Sequence, residues 1–235
     1  VNESQRLGTS FNSIFDQEGK YMPVSWGANF ADFDNDTDLD LYVANGCLNP
    51  FVEPNPDFYF ENDRYLFTEK SVRVGGSITF DYDNDGDLDL LVVNQKPVSN
   101  SFADASPTLL FRNDSSAGNW LKVQLTGIDA DKNGIGARVE VTIGTLKMIR
   151  EIDGGSSHSS QNSVIAHLGM GTATYADTVR VTWIGGKEQL LIHQKVNQVL
   201  KITEDHNGRK RYWNYRWLLA LLVPVIVWFV FKKKH

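Results

Sequence analysis

Hydrophobic and polar positions follow the same order in two stretches of the chain that lie 49 residues apart. Residues 31–45 read ADFDNDTDLDLYVAN and residues 80–94 read FDYDNDGDLDLLVVN, so an acidic run passes each time into an apolar, strand-like segment. The similarity continues in YFEND at 59–63 and LFRND at 110–114. A β-rich repeat of about 50 residues predicts propeller blades or a similar array. Two repeats are too few for a closed propeller of ~4–8 blades, so we expect a partial array or two units that pack on something else.

A second β pattern begins at Asn119, where the acidic runs stop. Five segments alternate apolar and polar residues: LKVQL, ARVEVTI, KMIREI, TVRVTW and QVLKI. Glycine- or asparagine-bearing turns separate them, and we expect Gly134 and Gly136 to shape a hairpin. This spacing predicts a compact β-sandwich-like domain with one face of each sheet buried.

The C-terminal segment predicts one transmembrane α-helix. Residues 217–231 read WLLALLVPVIVWFVF, and aromatic residues from Tyr212 onward extend the segment toward the length that a bilayer needs. Pro224 should kink this helix. A basic, aromatic linker at 206–216 precedes the segment and a basic tail at 232–235 follows it. A buried core helix is the alternative, but three consecutive lysines rarely follow a core helix at a chain end.

Charge is distributed unevenly along the chain. All 29 acidic residues but only 16 of the 23 basic residues precede Arg209, so the first 208 residues carry a net charge of −13 and the rest carry +7. An acidic body argues against nucleic acid as a partner and suits a protein that collects divalent cations. Cys47 is the only cysteine, which excludes an intrachain disulfide and a thiolate metal cluster.

Each acidic run has the spacing of a calcium loop. Carboxylates stand at positions 1, 3, 5 and 9, and the residue at position 7 would offer its backbone carbonyl. The predicted ligands are Asp32, Asp34, Asp36, Asp38 and Asp40 in the first loop and Asp81, Asp83, Asp85, Asp87 and Asp89 in the second. Calcium takes about 6–8 hard oxygen ligands, and without a cation these carboxylates would repel one another. The alternative is a pair of acidic surface turns that hold no metal.

The two loops differ at one turn position, and neither is an EF-hand. Position 12 is Val43 or Val92, where an EF-hand requires glutamate, and a strand follows where an EF-hand has a helix. Gly86 occupies the turn position of the second loop, whereas Thr37 occupies it in the first. A β-branched residue disfavours positive φ, so we expect the first loop to be distorted or weaker.

The residues at 25–46, SWGANFADFDNDTDLDLYVANG, resemble the FG-GAP or VCBS repeats of β-propeller proteins, in which such a loop binds calcium. NWLKVQLTG, NGIGARVEV, HLGMG and DTVRVTWIGGK resemble the ASPIC/UnbV domain that follows such repeats in secreted bacterial proteins and in the cartilage acidic protein family. The resemblance implies calcium-loop repeats at 1–118 and an ASPIC/UnbV-like domain at 119–205. It also implies an extracellular or periplasmic module without an established catalytic residue.

No residue pattern predicts catalysis. The five histidines form no HExxH or other metal spacing. His158 lies in SSHSS, where a Gly/Ser turn is a simpler explanation than acyl transfer, and His167 has a strand-like, structural position. The segment from Gly134 to Ala137 lacks the third glycine of a dinucleotide loop. We therefore expect that the protein is not an enzyme.

These observations predict a membrane-anchored, calcium-binding interaction module whose bulk is periplasmic or extracellular and whose C-terminus is cytoplasmic. Its partners would be the lipid bilayer, through residues 217–231, and other membrane subunits, so that the chain is an accessory part of a larger complex, respiratory or photosynthetic among the candidates. A free-standing cell-surface adhesion or binding protein is the alternative. A non-catalytic C-terminal part of a larger secreted enzyme is a third, minor one.

Overall fold

The computed structural model describes residues 7, 25–45, 57–64, 66–72, 76–93, 108–115, 118–155 and 160–205. This part of the chain is built of β-strands, as its alternating patterns predict, and its strands form four separate sheets. None of its helical residues belongs to a helix long and apolar enough to cross a bilayer. The predicted transmembrane segment at 217–231, its linker and its basic tail lie outside the described residues, as does His158.

The repeat region forms two antiparallel sheets. The first has the strand order β1-β2-β3-β4 and the second has the order β5-β6-β7. The strands are β1 (Ser25–Ala31), β2 (Asp40–Asn45), β3 (Asp57–Asp63), β4 (Leu66–Val72), β5 (Gly76–Phe80), β6 (Asp89–Val93) and β7 (Leu109–Phe111). Each acidic run is the loop between the first two strands of its sheet. The loop closes where Ala31 pairs with Asp40 in the first sheet and where Phe80 pairs with Asp89 in the second.

The second region is a two-sheet sandwich. One sheet has the order β10-β9-β12-β13, and the other has the order β11-β8-β14, in which β14 runs parallel to β8. The strands are β8 (Asn119–Thr126), β9 (Arg138–Ile143), β10 (Leu146–Glu151), β11 (Ala166–Gly171), β12 (Tyr175–Thr182), β13 (Glu188–Lys195) and β14 (Gln198–Thr203). Buried side chains of both sheets form one apolar core, which includes Leu121, Val139, Leu168, Val179 and Trp183.

The turn around Gly134 and Gly136 is not a hairpin. Both glycines have positive φ, 75° and 84°, as a tight turn requires. The strands that flank the turn belong to different sheets, because β8 pairs with β11 and β14 whereas β9 pairs with β10 and β12. The glycines therefore turn the chain from one layer of the sandwich to the other.

Strands β11 and β8 are covered on both faces of their sheet, which the sequence pattern did not predict. In β11 the side chains of Ala166, Leu168 and Met170 lie in the core of the sandwich. Because successive residues of a strand face opposite sides of the sheet, His167 and Gly169 face away from that core. These two residues are nevertheless buried, because the acidic loops of the repeat region pack on this outer face. The repeats thus pack on the sandwich, one of the two arrangements expected for so short an array.

Candidate metal centre

Loop 1, residues 32–40, is held in a tight turn by its own carboxylates. The backbone N–H of Thr37 donates to Asp32 Oδ2 at 3.1 Å, and the N–H of Asp36 donates to Asp32 Oδ1 at the same distance. The N–H of Phe33 donates to Asp40 Oδ2 at 3.1 Å, which ties the two ends of the loop together. The first and ninth positions therefore fix the backbone on which the other carboxylates are mounted.

Loop 2, residues 81–89, repeats two of these bonds at the equivalent positions. The N–H of Gly86 donates to Asp81 Oδ2 at 2.9 Å, and the N–H of Tyr82 donates to Asp89 Oδ2 at 2.7 Å. The N–H of Asp85 donates to Asp83 Oδ1 at 3.4 Å. The repeat seen in the sequence is thus a repeat of three-dimensional structure.

Thr37 does not distort the first loop. Its φ is 94°, close to the 107° of Gly86, so the threonine adopts the conformation for which glycine is suited. The loops also match at the preceding turn residue, where Asn35 has a φ of 60° and Asn84 a φ of 64°. A non-glycine residue at such a φ stores about 1–3 kcal/mol of strain. The surrounding hydrogen bonds hold Thr37 in this state.

In each loop three carboxylates converge. One ligand oxygen from each member of a trio lies within 4.8 Å of the others, a spacing that a single cation could bridge. The trios are Asp32, Asp34 and Asp36 in loop 1 and Asp81, Asp83 and Asp89 in loop 2. The structure therefore brings together six of the ten predicted ligand residues, with a different third member in each loop.

The other four aspartates have different partners. Asp38 Oδ2 accepts from the N–H of Arg64 at 2.9 Å, and Asp87 Oδ1 accepts from Asn35 Nδ2 at 2.8 Å. Asp85 Oδ1 accepts from the N–H of Asp87 at 2.9 Å. The side chain of Asp38 thus bonds to the turn between β3 and β4, and the side chain of Asp87 joins the two loops.

Asp40 anchors loop 1 to the third strand of its sheet. Its Oδ1 accepts from the N–H of Asn62 at 2.8 Å, and its Oδ2 accepts from Tyr59 Oη at 3.2 Å. A second bond joins the same two segments, because Asn62 Nδ2 donates to the carbonyl of Leu39 at 3.0 Å.

Asn113 has the same role in the second repeat. Its N–H donates to Asp89 Oδ1 at 2.9 Å, and its Nδ2 donates to the carbonyl of Leu88 at 3.2 Å. A further bond, 2.7 Å from Asn113 Nδ2 to the carbonyl of Phe33, joins the two repeats. These two asparagines match in the sequence repeat, within YFEND and LFRND. The structure shows that both bond to the ninth residue of their acidic loop.

Burial makes the negative charge of loop 1 costly. Asp32 is 1% exposed, and its pKa is raised to about 7 by burial and then by the neighbouring carboxylate of Asp36. Burial likewise raises the pKa of Asp40 to about 6 and also raises the pKa of Asp34. A bound cation would reverse this penalty, because an opposite charge at short range favours the ionised carboxylate.

Loop 2 is clamped by side chains of β8 and β11. His167 Nε2 donates to the carbonyl of Gly86 at 2.8 Å, and burial lowers the pKa of this histidine to about 4, so the ring is neutral. The indole of Trp120 lies where a Cβ on Gly86 would be, so glycine is required here for space as well as for φ. Lys122, which is 4% exposed, forms an ion pair with Asp81 Oδ2.

Loop 1 packs against the backbone of β11 instead. The N–H of Gly171 donates to the carbonyl of Asn35 at 2.9 Å. A Cβ on Gly169 would overlap the carboxylate of Asp32, so only glycine permits this approach. The neighbouring contact between β5 and the sandwich is polar: the N–H of Thr79 donates to Asn162 Oδ1 at 3.1 Å.

The residues of β8 and β11 that hold the loops were missed by sequence reasoning. One signal was present, because LKVQL places Lys122 between Leu121 and Val123 in a strand whose core face is apolar. A lysine there looks like an ordinary solvent-facing residue. Only the packing of loop 2 on that face reveals that its ammonium group is buried.

Residues 127–209 match the protein family described as ASPIC and UnbV. This segment is an ASPIC and UnbV domain. No curated protein matches the chain. The matched range contains β9 to β14, and β8 precedes it directly while pairing with β11 and β14 in the same sheet. The ASPIC and UnbV domain thus supplies His167 and the glycines of β11 to the interface, whereas both acidic loops lie outside the match.

Proposed function

We propose that the protein is a non-catalytic, extracytoplasmic interaction module whose repeat region is stabilised by Ca²⁺ in loop 1 and loop 2. The observation that supports this best is the convergence of a carboxylate trio in each of two loops with the same backbone. In loop 1 the trio contains Asp32, a carboxylate that burial makes costly to ionise. A divalent cation is the simplest group that satisfies such a site.

The donor set favours calcium over other metals. Both trios consist of carboxylates alone, and hard oxygen ligands suit Ca²⁺ and Mg²⁺ rather than zinc or copper. A flexible arrangement of carboxylates and backbone carbonyls in a turn fits the irregular coordination of calcium better than the octahedron that magnesium requires. Calcium is plentiful outside the cytosol, which supports an extracytoplasmic position for the loops.

The membrane part of the proposal rests on the sequence. Residues 217–231 would form the anchor, and residues 232–235 would lie in the cytoplasm. We propose that the chain is an accessory subunit of a larger membrane complex. Co-purification with stoichiometric integral membrane subunits after mild detergent extraction, measured by size analysis and mass spectrometry, is the expected result. A monodisperse monomer would reject this part and favour a free-standing adhesion or binding protein.

Isothermal titration of the full chain in detergent micelles tests the calcium sites. We expect one calcium ion per loop in the unmodified protein. The paired variant Asp34→Asn with Asp83→Asn removes one carboxylate from each trio and leaves the anchoring aspartates intact. Its calcium affinity should fall by about tenfold or more at each loop, because each lost charge weakens the attraction for the cation.

The matched control is Asp63→Asn, which neutralises an exposed carboxylate at the end of β3 outside both trios. This variant should bind calcium as the unmodified protein does. Equal affinities for the paired variant and the control, or no heat of binding at millimolar calcium, would refute the proposed sites.

A further inference from the structure

The two loops share the backbone conformation of their turns but have unequal electrostatic surroundings. Lys122 extends from the outer face of β8 into loop 2, where its ammonium group forms an ion pair with Asp81 Oδ2. The side chains of Lys122 and Asp81 are 6% and 5% exposed, so water screens this pair poorly. The ammonium group also lies 4.7 Å from the ring centroid of Trp120, which helps to hold it in place.

Loop 1 has no equivalent of this ammonium group among the described residues. The position-1 carboxylate, Asp32, adjoins the backbone of Gly169 in the same sheet. The charge of Arg150 lowers the pKa of Asp32 against the larger effects of burial and of the Asp36 carboxylate. Two nitrogens of this guanidinium group are bonded elsewhere, because Nε donates to the carbonyl of His167 at 2.9 Å and Nη1 to the carbonyl of Ile149 at 3.0 Å. Its Nη2 is buried and has no hydrogen-bond partner among the described residues. No ion pair joins Arg150 to Asp32 in the described part of the chain.

Loop 2 nevertheless retains a vacant acceptor. Asp81 Oδ1 is buried and has no hydrogen-bond partner among the described residues. The same aspartate belongs to the trio with Asp83 and Asp89. A buried carboxylate oxygen without a partner costs free energy unless a cation or a donor satisfies it. The site is therefore suited to a cation even though Lys122 already compensates part of its charge.

We infer that the loops are unequal calcium sites, and that Lys122 acts as a tethered cation that lowers the calcium affinity of loop 2 below that of loop 1. This inference rests on the proposed calcium-binding function. A calcium ion in loop 2 must share Asp81 with the ammonium group or displace it, and in either case like charges meet in a poorly hydrated space. In loop 1 the charge of Arg150 acts on Asp32 only at a distance, so among the described residues calcium shares no Asp32 oxygen with a cation there.

The difference in calcium affinity between the loops affects the contact between the repeat region and the sandwich. Because Lys122 is mounted on β8, calcium entry into loop 2 weakens one ionic contact between the repeats and the sandwich. Loop 1 would remain filled at calcium concentrations at which loop 2 is only partly filled. Loop 2 would then respond to changes in calcium across the range in which loop 1 is saturated.

The test is a calcium titration of loop 2 alone, in the full chain with loop 1 weakened by Asp34→Asn. Tryptophan-sensitised terbium luminescence, with calcium as the competitor, reports this loop because Trp120 packs on Gly86. Lys122→Met removes the charge and keeps most of the side-chain volume. It should raise the calcium affinity of loop 2 by about tenfold. Lys122→Arg keeps a cation at this place and should leave the affinity low.

Lys201→Met is the matched control, because Lys201 is exposed on the neighbouring strand β14. Lys122→Gln replaces the methionine variant if that variant does not fold. Equal affinities of the two loops in the unmodified protein, or an unchanged loop 2 affinity after neutralisation of Lys122, would overturn the inference while the calcium sites stand. Absence of binding at both loops in the unmodified protein would overturn the proposed function, and this inference with it.

Discussion

The repeat region and the sandwich are both built of β-strands, but their interiors differ. Among the described residues the sandwich core contains 16 buried apolar side chains, whereas the apolar cluster of the repeats contains three, Val43, Phe58 and Phe60. Burial of apolar surface contributes about 25 cal/mol per Å² to folding. The contiguous apolar core of the sandwich therefore contributes more to stability than the apolar cluster of the repeats does.

Polar groups fill the place of that missing core in the repeats. Asp32, Asp40, Asp57, Asp87 and Asp89 are each at most 4% exposed. Hydrogen bonds satisfy many of their oxygens, as with Asp57, which accepts from Tyr42 Oη at 2.5 Å and from the N–H of Asn45 at 2.6 Å. Buried carboxylates stabilise a fold only when they are paired or neutralised. On the proposed function, the repeats would depend on cations and on the sandwich, whereas the sandwich has its own apolar core.

The largest expected effect is a pH dependence that appears only without calcium. In chelator the raised pKa of Asp32 means that the folded protein holds a proton from about pH 4 to about pH 7 that the unfolded chain has released. Stability from this group is therefore lost progressively as pH rises from about 4 to about 7, and the loss is complete above pH 7. Relative to Asp32→Asn, the unmodified protein should lose about 2–4 kcal/mol of unfolding free energy across that window.

Denaturant titrations of both proteins measure this difference, and the comparison between them cancels an opposing effect of His167. Burial lowers the pKa of that histidine to about 4, so its contribution to stability grows as pH rises from 4 toward 6.5. In saturating calcium the ion replaces the proton, and the unmodified protein should become the more stable of the two at pH 7. A pH-independent difference in chelator would show that Asp32 is not a costly charge.

A smaller effect is expected from exchanging the turn residues. Thr37→Gly relieves a positive φ but gives the unfolded chain more freedom, so the net gain should be only about 0.5 kcal/mol. The control is Gly86→Thr, which should destabilise the protein clearly because the new Cβ would overlap Trp120. Thermal unfolding in calcium measures both. If Thr37→Gly destabilised the protein as much as Gly86→Thr does, the two turn positions would not share one backbone conformation.

Local sequence patterns predicted seven of the 14 described strands: β2 and β6 as the apolar runs after the acidic loops, and five strands of the sandwich by alternation. Alternation identified β8, β9, β10, β12 and β14, and the acidic spacing placed both loops between paired strands. β11 was missed because Gly169 and Gly171 are poor strand formers, and they are present because loop 1 approaches this strand closely.

The candidate site was predictable in part for the same reason. Carboxylate spacing within a loop is local information, so both trios follow from the ten aspartates of the two runs. The sandwich residues that contact the loops are separated from them by 31 or more residues, as Trp120 is from loop 2. No periodicity carries that information. The anchoring role of Asn62 and Asn113 was predictable only in part. The sequence repeat showed that the two residues are equivalent, but it did not show that they bond to the loops.

Hydrogen–deuterium exchange of the full chain in calcium and in chelator tests the central claim most directly. Chelation should accelerate amide exchange in β1, β2, β5 and β6 and in the loops that join them. Exchange in β9, β12 and β13, which lie in the other sheet of the sandwich, should stay within error of its value in calcium. Equal acceleration in both regions, or unchanged protection of the two acidic loops, would contradict a repeat region whose fold depends on bound cations.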